Sequence, residues 1–416
     1  MQSSFVLITL AGAAYFAMAR RRLDYLTLAF FSAVVYFLPG FFGVTSFHVA
    51  GVWREAPIHP EAYAVMIAVV VSILLSALVV DRLPSGPPIR VRVAGEATAV
   101  WFVAAFALAG LVGTVLTAGA RLLDPEKAVV MEALGRWHIL LYSAAIVGFA
   151  AAVSARKPRL AAYFLLLLLF DLYVGFRSPL AIAILSALLL VLHGRGMPQR
   201  MVRHWRYALP VLAIGILLFG YKHIAFAVKY GLWDLVLERL TSAEFYALII
   251  TRSEPFAIQQ ILNDVIAQRF HTGSEHILSA LHQLLVFAPE LGADPVLFND
   301  YFQPALFPEV DYGLASNIWA QIWSAGDWPL LIAFLIIFNF VLLLGNASLR
   351  LRNPFVRASL APAFVYWAFY LHRNDLSYQI NLEKRTLLVL IAAILLAVIV
   401  TRAVRSHVVI VEQTRK

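Results

Sequence analysis

The stretch LAAYFLLLLLFDLYVGFRSPLAIAILSALLLVL, residues 160–192, decides the fold of this chain. Its two apolar runs meet at a short turn that contains Gly175 and Arg177. Crossing about 30 Å of hydrocarbon takes roughly 20 apolar residues. Both runs are short by that measure, so two helices joined by a tight turn and one merged or re-entrant segment both fit the pattern. In either case the stretch lies in a membrane and carries a guanidinium group at its turn.

The composition of the whole chain agrees with a membrane location. Of the 416 residues, 62% are hydrophobic and 14% are charged, and the mean hydropathy is +0.80. A soluble domain cannot keep so much apolar surface away from water, so this composition indicates a polytopic membrane protein. The sequence has no cysteine, which excludes disulfides, a thiol nucleophile and a cysteine metal site. The net charge of +9 is divided among short loops, which argues against a nucleic-acid partner.

Eleven apolar runs predict an all-α polytopic membrane protein with one integral membrane domain over residues 1–416. The runs lie near 4–19, 25–43, 62–80, 97–118, 138–154, 160–175, 178–193, 207–224, 329–345, 356–371 and 386–401. Alternate loops carry most of the Lys and Arg, and such loops face the cytoplasm. We therefore expect the N-terminus outside and the C-terminus inside. Arg20 to Arg22 follow the first run instead of preceding it, which predicts a retained span and not a cleaved signal peptide.

The outer segment 222–328 is unusually long and contains no obvious span. The pieces YGLWDLVLERL (230–240) and EHILSALHQLLVF (275–287) each place apolar side chains on one helical face. We expect a long periplasmic loop whose amphipathic helices lie along the membrane surface or cap the bundle. Long structured loops often carry function, so this segment is a place to look for a site.

Three arginines, Arg177, Arg252 and Arg373, lie near the ends of apolar segments on the side opposite most of the basic residues. An ionisable group in such a position is by default a candidate for function. Converging guanidinium groups suit a phosphate, which they bind bidentately. Each arginine also has a structural explanation. Arg177 can anchor a helix end among lipid headgroups, Arg252 can pair with nearby Glu254, and Arg373 can pair with Asp375 in a hydrated turn.

Polar side chains flank Arg373 in the sequence YLHRNDL. His372, Asn374 and Asp375 add a potential base and hydrogen-bonding groups directly at the end of an apolar run. A cation, a base and hydrogen-bonding groups side by side are typical of a site that binds and activates a polar substrate.

A second polar stretch leads into the ninth run, at residues 311–334. By their spacing, Gly313, Ser316, Asn317 and Gln321 can share one helical face. The tryptophans of this stretch are explained by an aromatic belt at the membrane interface. The amides are not, because burying an amide near lipid is costly unless it is paired.

The quoted motifs together resemble one known family. GFRS (175–178), the long outer loop, GLASNIWAQIWSAGDWPLLIAF (313–334) and YLHRNDL (370–376) resemble, in order and spacing, the bacterial O-antigen (Wzy-type) polysaccharide polymerases. The likeness covers roughly residues 160–390. One departure is Gln321, near which we expect a carboxylate in many members of that family. An amide cannot act as a base, so any base must lie elsewhere.

The resemblance implies a bacterial inner-membrane enzyme with a glycosyltransferase-C-like helical fold and an active site on the periplasmic face. Its donor would be a glycan on undecaprenyl pyrophosphate, and its acceptor a second lipid-linked repeat unit. Transfer would release undecaprenyl pyrophosphate. The partners implied are these glycans and membrane lipid, and the family allows a chain-length regulator protein as well. We expect no cofactor and no metal, because arginines can stabilise the charge that a metal would otherwise meet.

The chemistry of this transfer assigns roles to the side chains. Breaking the bond between the anomeric carbon and pyrophosphate builds negative charge on the leaving group, and fixed cations stabilise that transition state. The attacking hydroxyl needs orientation and a base, and Glu254 ranks behind Asp375 and His372 for that role. We expect catalytic residues Arg373, Asp375 and His372, pyrophosphate-binding residues Arg177, Arg373 and Arg252, and substrate-positioning residues Glu254, Ser316, Asn317 and Gln321.

Other functions remain open at the level of sequence. An O-antigen ligase uses the same donor but transfers to lipid A-core. A glycosyltransferase that uses a polyprenyl-monophosphate sugar would carry paired acids in its first outer loop, where Glu55 and Glu61 form no such motif. A lipid-glycan transporter or flippase should show related halves with polar groups at mid-membrane. Here Asp171 is the acid well inside a span, and the other polar groups gather at one face, which favours an enzyme.

Overall fold

The computed structural model describes all residues except 21, 50–51, 84–85, 92, 94, 125, 194–219, 222–223, 247–252, 286–296, 311–312 and 415–416. The described part is mostly helical. In the first half of the chain the helices are α1 (Gln2–Ala14), α2 (Tyr25–Tyr36), α3 (Pro39–Phe42), α4 (Pro60–Arg82), α5 (Glu96–Ala118), α6 (Lys127–Ala133), α7 (Arg136–Ser154), α8 (Pro158–Val174) and α9 (Ser178–Leu192). In the second half they are α10 (Trp233–Thr241), α11 (Glu254–Ala267), α12 (Ser274–His282), α13 (Asn299–Leu306), α14 (Ile318–Ser348), α15 (Pro354–Val365) and α16 (Leu376–Thr414).

Several of these helices can cross a membrane. Within the described residues, five are long and apolar enough: Pro60–Arg82, Glu96–Leu123, Arg136–Ser154, Ile318–Ser348 and Leu376–Ala403. Shorter apolar helices cover Gln2–Met18, Tyr25–Tyr36 and Ser178–Leu192. This is the pattern of a multi-pass helical membrane protein. The count of eleven spans stays a prediction, and most of its run at 207–224 lies outside the described residues.

The expectation of an all-α fold is wrong in one element, a β-hairpin. Strand β1 (Val44–Val49) pairs antiparallel with β2 (Val52–Pro57), with Val44 opposite Pro57. The predicted run 25–43 also does not form one helix, because Pro39 cannot continue a helix that is already under way. The chain leaves α2, makes the short α3 and enters the hairpin, whose β-branched residues favour extended backbone.

Helix α7 lies at the centre of the bundle and packs against α5, α8, α9, α15 and α16. Glycine allows the closest of these contacts. A Cβ atom on Gly110 of α5 would lie 2.5 Å from the backbone nitrogen of Leu141 in α7. A Cβ atom on Gly148 of α7 would lie 2.1 Å from the ring of Phe164 in α8. Small residues at such interfaces let membrane helices approach closely and gain dispersion energy.

The outer surface of the bundle is apolar, as contact with lipid requires. Leu7, Trp101, Leu166, Ile336 and Ile399 all lie on helices and are exposed. Large exposed apolar surfaces on a folded chain mark contact with a membrane or a partner. The buried residues therefore form the helix–helix contacts, and many large apolar side chains point outward.

A buried ion network ties α1, α2, α4 and α14 together at one end of the bundle. Arg20, predicted to lie in a cationic loop, is instead 1% exposed. Its guanidinium contacts both carboxylate oxygens of Asp24 at 2.7 Å and one of Asp81 at 2.9 Å. Asn346 of α14 donates to Asp24 at 2.9 Å, and Tyr15 donates to Asp81. Each buried charge is thus paired, as burial in an apolar medium requires.

Helix α14 begins later than the sequence pattern predicts. Asn317 is its N-cap, and the side-chain oxygen accepts two backbone N–H groups of the first turn. Gly313 and Ser316 therefore precede the helix and do not share a helical face with Gln321, so that prediction is wrong. The N-cap satisfies donors that no intrahelical carbonyl can reach, which fixes the start of the helix. The helix also kinks at Gly326 and Asp327, where its backbone is not helical.

Candidate functional site

Three charged side chains from distant parts of the chain meet at one end of the bundle. The carboxylate of Glu254 lies between the guanidinium groups of Arg177 and Arg373. Arg373 binds it bidentately, with Nη2 2.7 Å from Oε1 and Nη1 2.9 Å from Oε2. Arg177 donates from Nη2 to Oε2 at 3.0 Å. We call Arg177, Glu254 and Arg373 the arginine cluster.

The local sequence explains how each member reaches the cluster. Gly175 has φ 121°, which ends α8 and lets the chain turn into α9 with Arg177 at its start. Glu254 occupies the first turn of α11, where a carboxylate complements the positive end of the helix dipole. Arg373 ends a 3₁₀ turn, Leu371–Arg373, that follows α15 and a single π-helical turn. All three positions are helix ends, which face the same side of the bundle.

The arginine cluster is half-buried. The side chains of Arg177, Glu254 and Arg373 are 24%, 17% and 23% exposed. The guanidinium carbon of Arg373 lies 4.7 Å from the centre of the Tyr370 ring, a cation–π contact that holds the group in place. With two cations and one anion, the cluster carries a net charge of +1. It therefore attracts an anion while its own charges remain paired.

Two polar atoms beside the cluster have no hydrogen-bond partner among the described residues. They are the buried Nε of Arg373 and the buried Oγ of Ser316. The backbone N–H of Ser316 donates to the carbonyl of Arg373 at 3.1 Å, so Ser316 is tied to the cluster through the main chain. Buried donors are nearly always satisfied by protein, water or ligand. A bound polar group that reached these atoms would satisfy them.

The structure places His372 away from solvent. Its side chain is fully buried, with ring contacts to Tyr36, Phe37 and Trp319. Trp319 donates from Nε1 to Nδ1 of His372 at 3.0 Å. Because one ring nitrogen accepts a hydrogen bond inside an aromatic cage, the residue holds α14 and α15 together. Its predicted catalytic role stays a prediction, and this geometry favours a packing role.

Asp375 forms the N-cap of α16 and does not compensate Arg373. Its Oδ1 accepts the backbone N–H of Tyr378 at 2.7 Å, and the residue is 2% exposed. Burial raises the pKa of the Asp375 carboxyl to about 6, while facing backbone N–H groups oppose that rise. A carboxyl that already caps a helix has little freedom to accept a proton from a substrate. The catalytic role predicted for Asp375 stays a prediction on that account.

The predicted positioning amides bind main chain instead of facing the cluster. Asn317 donates to the carbonyl of Ile258 in α11 at 2.9 Å. Gln321 accepts the backbone N–H of Leu376 at 2.7 Å, and its Nε2 lies 2.8 Å from Nε2 of His276. Both amides are fully buried. They connect the starts of α11, α14 and α16, and so act on the cluster through the backbone.

This geometry also explains the amide at position 321. One end of Gln321 must accept a backbone N–H and the other must donate to an imidazole, which an ionised carboxylate cannot do. Burial lowers the pKa of His276, so its ring is neutral and can accept. His276 is 3% exposed and packs against Tyr301, so this hydrogen bond lies inside the protein.

Arg252 lies outside the described residues, so its predicted contact with phosphate and its pairing with Glu254 stay predictions.

The sequence pattern missed another polar pair, between α7 and α8. Nε2 of His138 lies 2.5 Å from Oδ1 of Asp171, and both residues are buried. Phe176, the neighbour of Arg177, packs on the His138 ring at 4.9 Å between ring centres. In the sequence, Asp171 is the residue that indicates this pair, because an acid inside an apolar run needs a partner.

Among the described residues, no group of three or more His, Asp or Glu side chains is placed to hold a metal ion. The two guanidinium groups of the arginine cluster supply positive charge to the site. Comparisons with protein-family models, with curated proteins and with solved structures find no match to this chain.

Proposed function

We propose that this protein is a membrane glycosyltransferase that polymerises oligosaccharide repeat units carried on undecaprenyl pyrophosphate, as in O-antigen or a related surface polysaccharide. The observation that carries this proposal is the arginine cluster. Two guanidinium groups, 196 positions apart in sequence at Arg177 and Arg373, meet one carboxylate and stay partly exposed. Their place at helix ends suits a lipid-linked phosphate, whose headgroup lies at that depth while its tail stays in lipid.

In the proposed reaction, the pyrophosphate of the donor replaces the Glu254 carboxylate on Arg177 and Arg373. The planar fork of a guanidinium matches phosphate oxygens as well as it matches a carboxylate. A hydroxyl of the acceptor sugar attacks the anomeric carbon of the donor while the bond to the pyrophosphate oxygen breaks. The leaving pyrophosphate takes the electron pair, and the two cations stabilise its growing charge. Single displacement inverts the anomeric configuration.

The displaced Glu254 is the base that fits this arrangement best. It is the carboxylate of the cluster, is partly exposed and contacts both guanidinium groups that the donor would engage. Once released, it can take the proton from the attacking hydroxyl. Asp375 and His372 keep structural roles in this proposal, because both are buried and already hydrogen-bonded.

Complementation of a polymerase-null strain tests the proposal. The wild-type chain should convert single capped repeats into a ladder of lipopolysaccharide or capsule. Arg177→Ala and Arg373→Ala should abolish the ladder while the protein still inserts in the membrane. Arg54→Ala is the matched control, because Arg54 pairs with Glu309 on exposed surface and is not a member of the cluster. If both cluster variants retain a full ladder, the site is not where the reaction occurs.

Strains that lack the other steps separate the alternative functions. An O-antigen ligase would form no ladder in the polymerase-null strain, but in a ligase-null strain it would move polymer from the carrier lipid to lipid A-core. A flippase would likewise form no ladder in the polymerase-null strain, but in a flippase-null strain it would restore repeat units on the periplasmic side. The orientation with the arginine cluster in the periplasm is also part of the proposal, and cysteine-accessibility labelling checks it, because the wild-type sequence contains no cysteine to interfere.

A further inference from the structure

We propose that the groove between α5 and α8 binds an anionic phospholipid, with an acyl chain along its wall and the phosphate at its basic rim. The groove has a volume of about 800 Å³. Its wall is formed by Trp101, Ala104, Ala105, Leu108, Leu160 and Tyr163. Its rim is formed by Arg156, Lys157 and Arg159, at the end of α8 opposite the arginine cluster.

The packing of the helices creates this groove. Helices α5 and α8 both pack on α7, and the small side chains Ala104 and Ala105 leave space between them. Tyr163 of α8 donates to the carbonyl of Ala104 at 3.1 Å and closes the back of the groove. Trp101 and Leu108 remain exposed, so the wall is apolar and accessible from the side. Such a wall suits a hydrocarbon chain.

The rim carries three exposed basic side chains. The turn between α7 and α8 holds Arg156 at φ 55°, a left-handed conformation, and Lys157 directly precedes α8. Arg156, Lys157 and Arg159 are all exposed. None of them forms a salt bridge with a carboxylate in the part of the chain that the structure describes. The first turn of α8 adds its own positive dipole end to this charge.

The order of apolar wall and cationic rim identifies the ligand class. A phospholipid carries its acyl chains directly beside an anionic phosphate, in the same order along the membrane normal. Inorganic phosphate would not use the wall, and a zwitterionic lipid would not use the whole positive charge of the rim. The rim lies on the side that the distribution of Lys and Arg predicts to be cytoplasmic, where anionic lipids attract basic residues. This inference does not depend on the proposed function.

Native mass spectrometry of the full-length protein in detergent tests the proposal. The protein is titrated with phosphatidylglycerol and with phosphatidylcholine of the same chain length. We expect phosphatidylglycerol to bind more tightly. In an Arg156→Gln/Arg159→Gln variant its affinity should fall about 25-fold, because each basic residue near an anionic headgroup is worth roughly fivefold. Binding of phosphatidylcholine should change little in that variant.

Two further variants separate this site from charge alone. Ala105→Trp fills the wall, keeps every charge and should reduce the binding of both lipids. Arg82→Gln/Arg90→Gln removes the same charge from exposed positions on the same predicted side and should change phosphatidylglycerol affinity less than twofold. Equal losses in the two double variants, unchanged binding in Ala105→Trp, or equal affinity for the two lipids would each overturn the proposal.

Discussion

Replacing Glu254 by glutamine separates the two roles that the structure suggests for this carboxylate. The side chain keeps its size and one oxygen but loses its charge. In the wild-type protein its oxygens lie 2.7, 2.9 and 3.0 Å from guanidinium nitrogens of Arg373 and Arg177. Because all three side chains are partly exposed, each ion pair is worth about 1 kcal/mol or less. We expect the stability of the variant to fall by about 1–2 kcal/mol, so it should still fold.

The effects on donor binding and on turnover should have opposite signs. Without the competing carboxylate, the donor pyrophosphate meets two guanidinium groups whose charge Glu254 no longer neutralises, and about 1 kcal/mol corresponds to a roughly fivefold lower KM. Without a base, kcat should fall about 10²- to 10⁴-fold. The assay follows extension of a polyprenyl-pyrophosphate glycan by purified protein in nanodiscs, with donor concentration varied. Glu309→Gln, at the exposed pair with Arg54, is the matched control and should change neither constant.

Each constant tests one part of the reasoning. An unchanged kcat would show that Glu254 is not the base, although the arginines could still bind the donor. A higher KM would show that Glu254 contacts the substrate directly and does not compete with it. If both constants match the wild type, the arginine cluster is a structural ion pair and the proposed function loses its main support.

Further substitutions test other features. Arg373→Lys keeps the charge but cannot hold two parallel hydrogen bonds, so we expect polymerisation in the same assay to slow about 10- to 100-fold. Arg20→Met leaves the carboxylates of Asp24 and Asp81 without their cation and should lower stability by about 3–5 kcal/mol, measured by denaturation in detergent. Gly110→Ala forces a methyl group into the backbone of α7 and should lower stability by about 1–3 kcal/mol in the same measurement.

The chain offers a matched control for each stability prediction. Arg54→Met breaks a pair whose side chains are 59% and 41% exposed, so its cost should stay below about 1 kcal/mol. Gly313→Ala adds a methyl group where no heavy atom lies within 4 Å, so it should have almost no effect. If Arg20→Met lowered the stability no more than Arg54→Met does, the buried network would not stabilise the fold. If Gly110→Ala lowered the stability no more than Gly313→Ala does, the contact between α5 and α7 would not be close-packed.

The sequence predicts the helices better than their ends. Apolar runs place most of the helices, because hydrocarbon thickness requires long apolar segments. The hairpin at 44–57 was missed, since its strands are short and lie between apolar helices. The start of α14 was also missed. The polar residues before Asn317 are spaced as they would be on one face of a helix. Asn317 is the N-cap, however, so the helix begins only after it.

The candidate site was predictable only in part. Arg177 and Arg373 stand out because positive charge is unusual on the predicted outer side. The sequence also marks Glu254, but as a partner of nearby Arg252. It lies 77 and 119 positions away from Arg177 and Arg373, and no local pattern connects the three. Neighbours in sequence were also misleading. His372 and Asp375 flank Arg373 within three positions, yet a 3₁₀ turn and a helix cap turn their side chains into the protein.

The buried polar groups fix the backbone of the site, and the partly exposed charged side chains extend from that backbone. The carbonyl of Arg373 accepts the N–H of Ser316, Asn317 binds the main chain of α11, and Gln321 binds the first N–H of α16. These bonds are neutral and buried, where each is costly to break because its donor would lose its partner. They fix the backbone from which Arg373 and Glu254 extend. A cation held by a fixed backbone needs no reorganisation when charge develops on a leaving group, and that is the condition under which electrostatic stabilisation is largest.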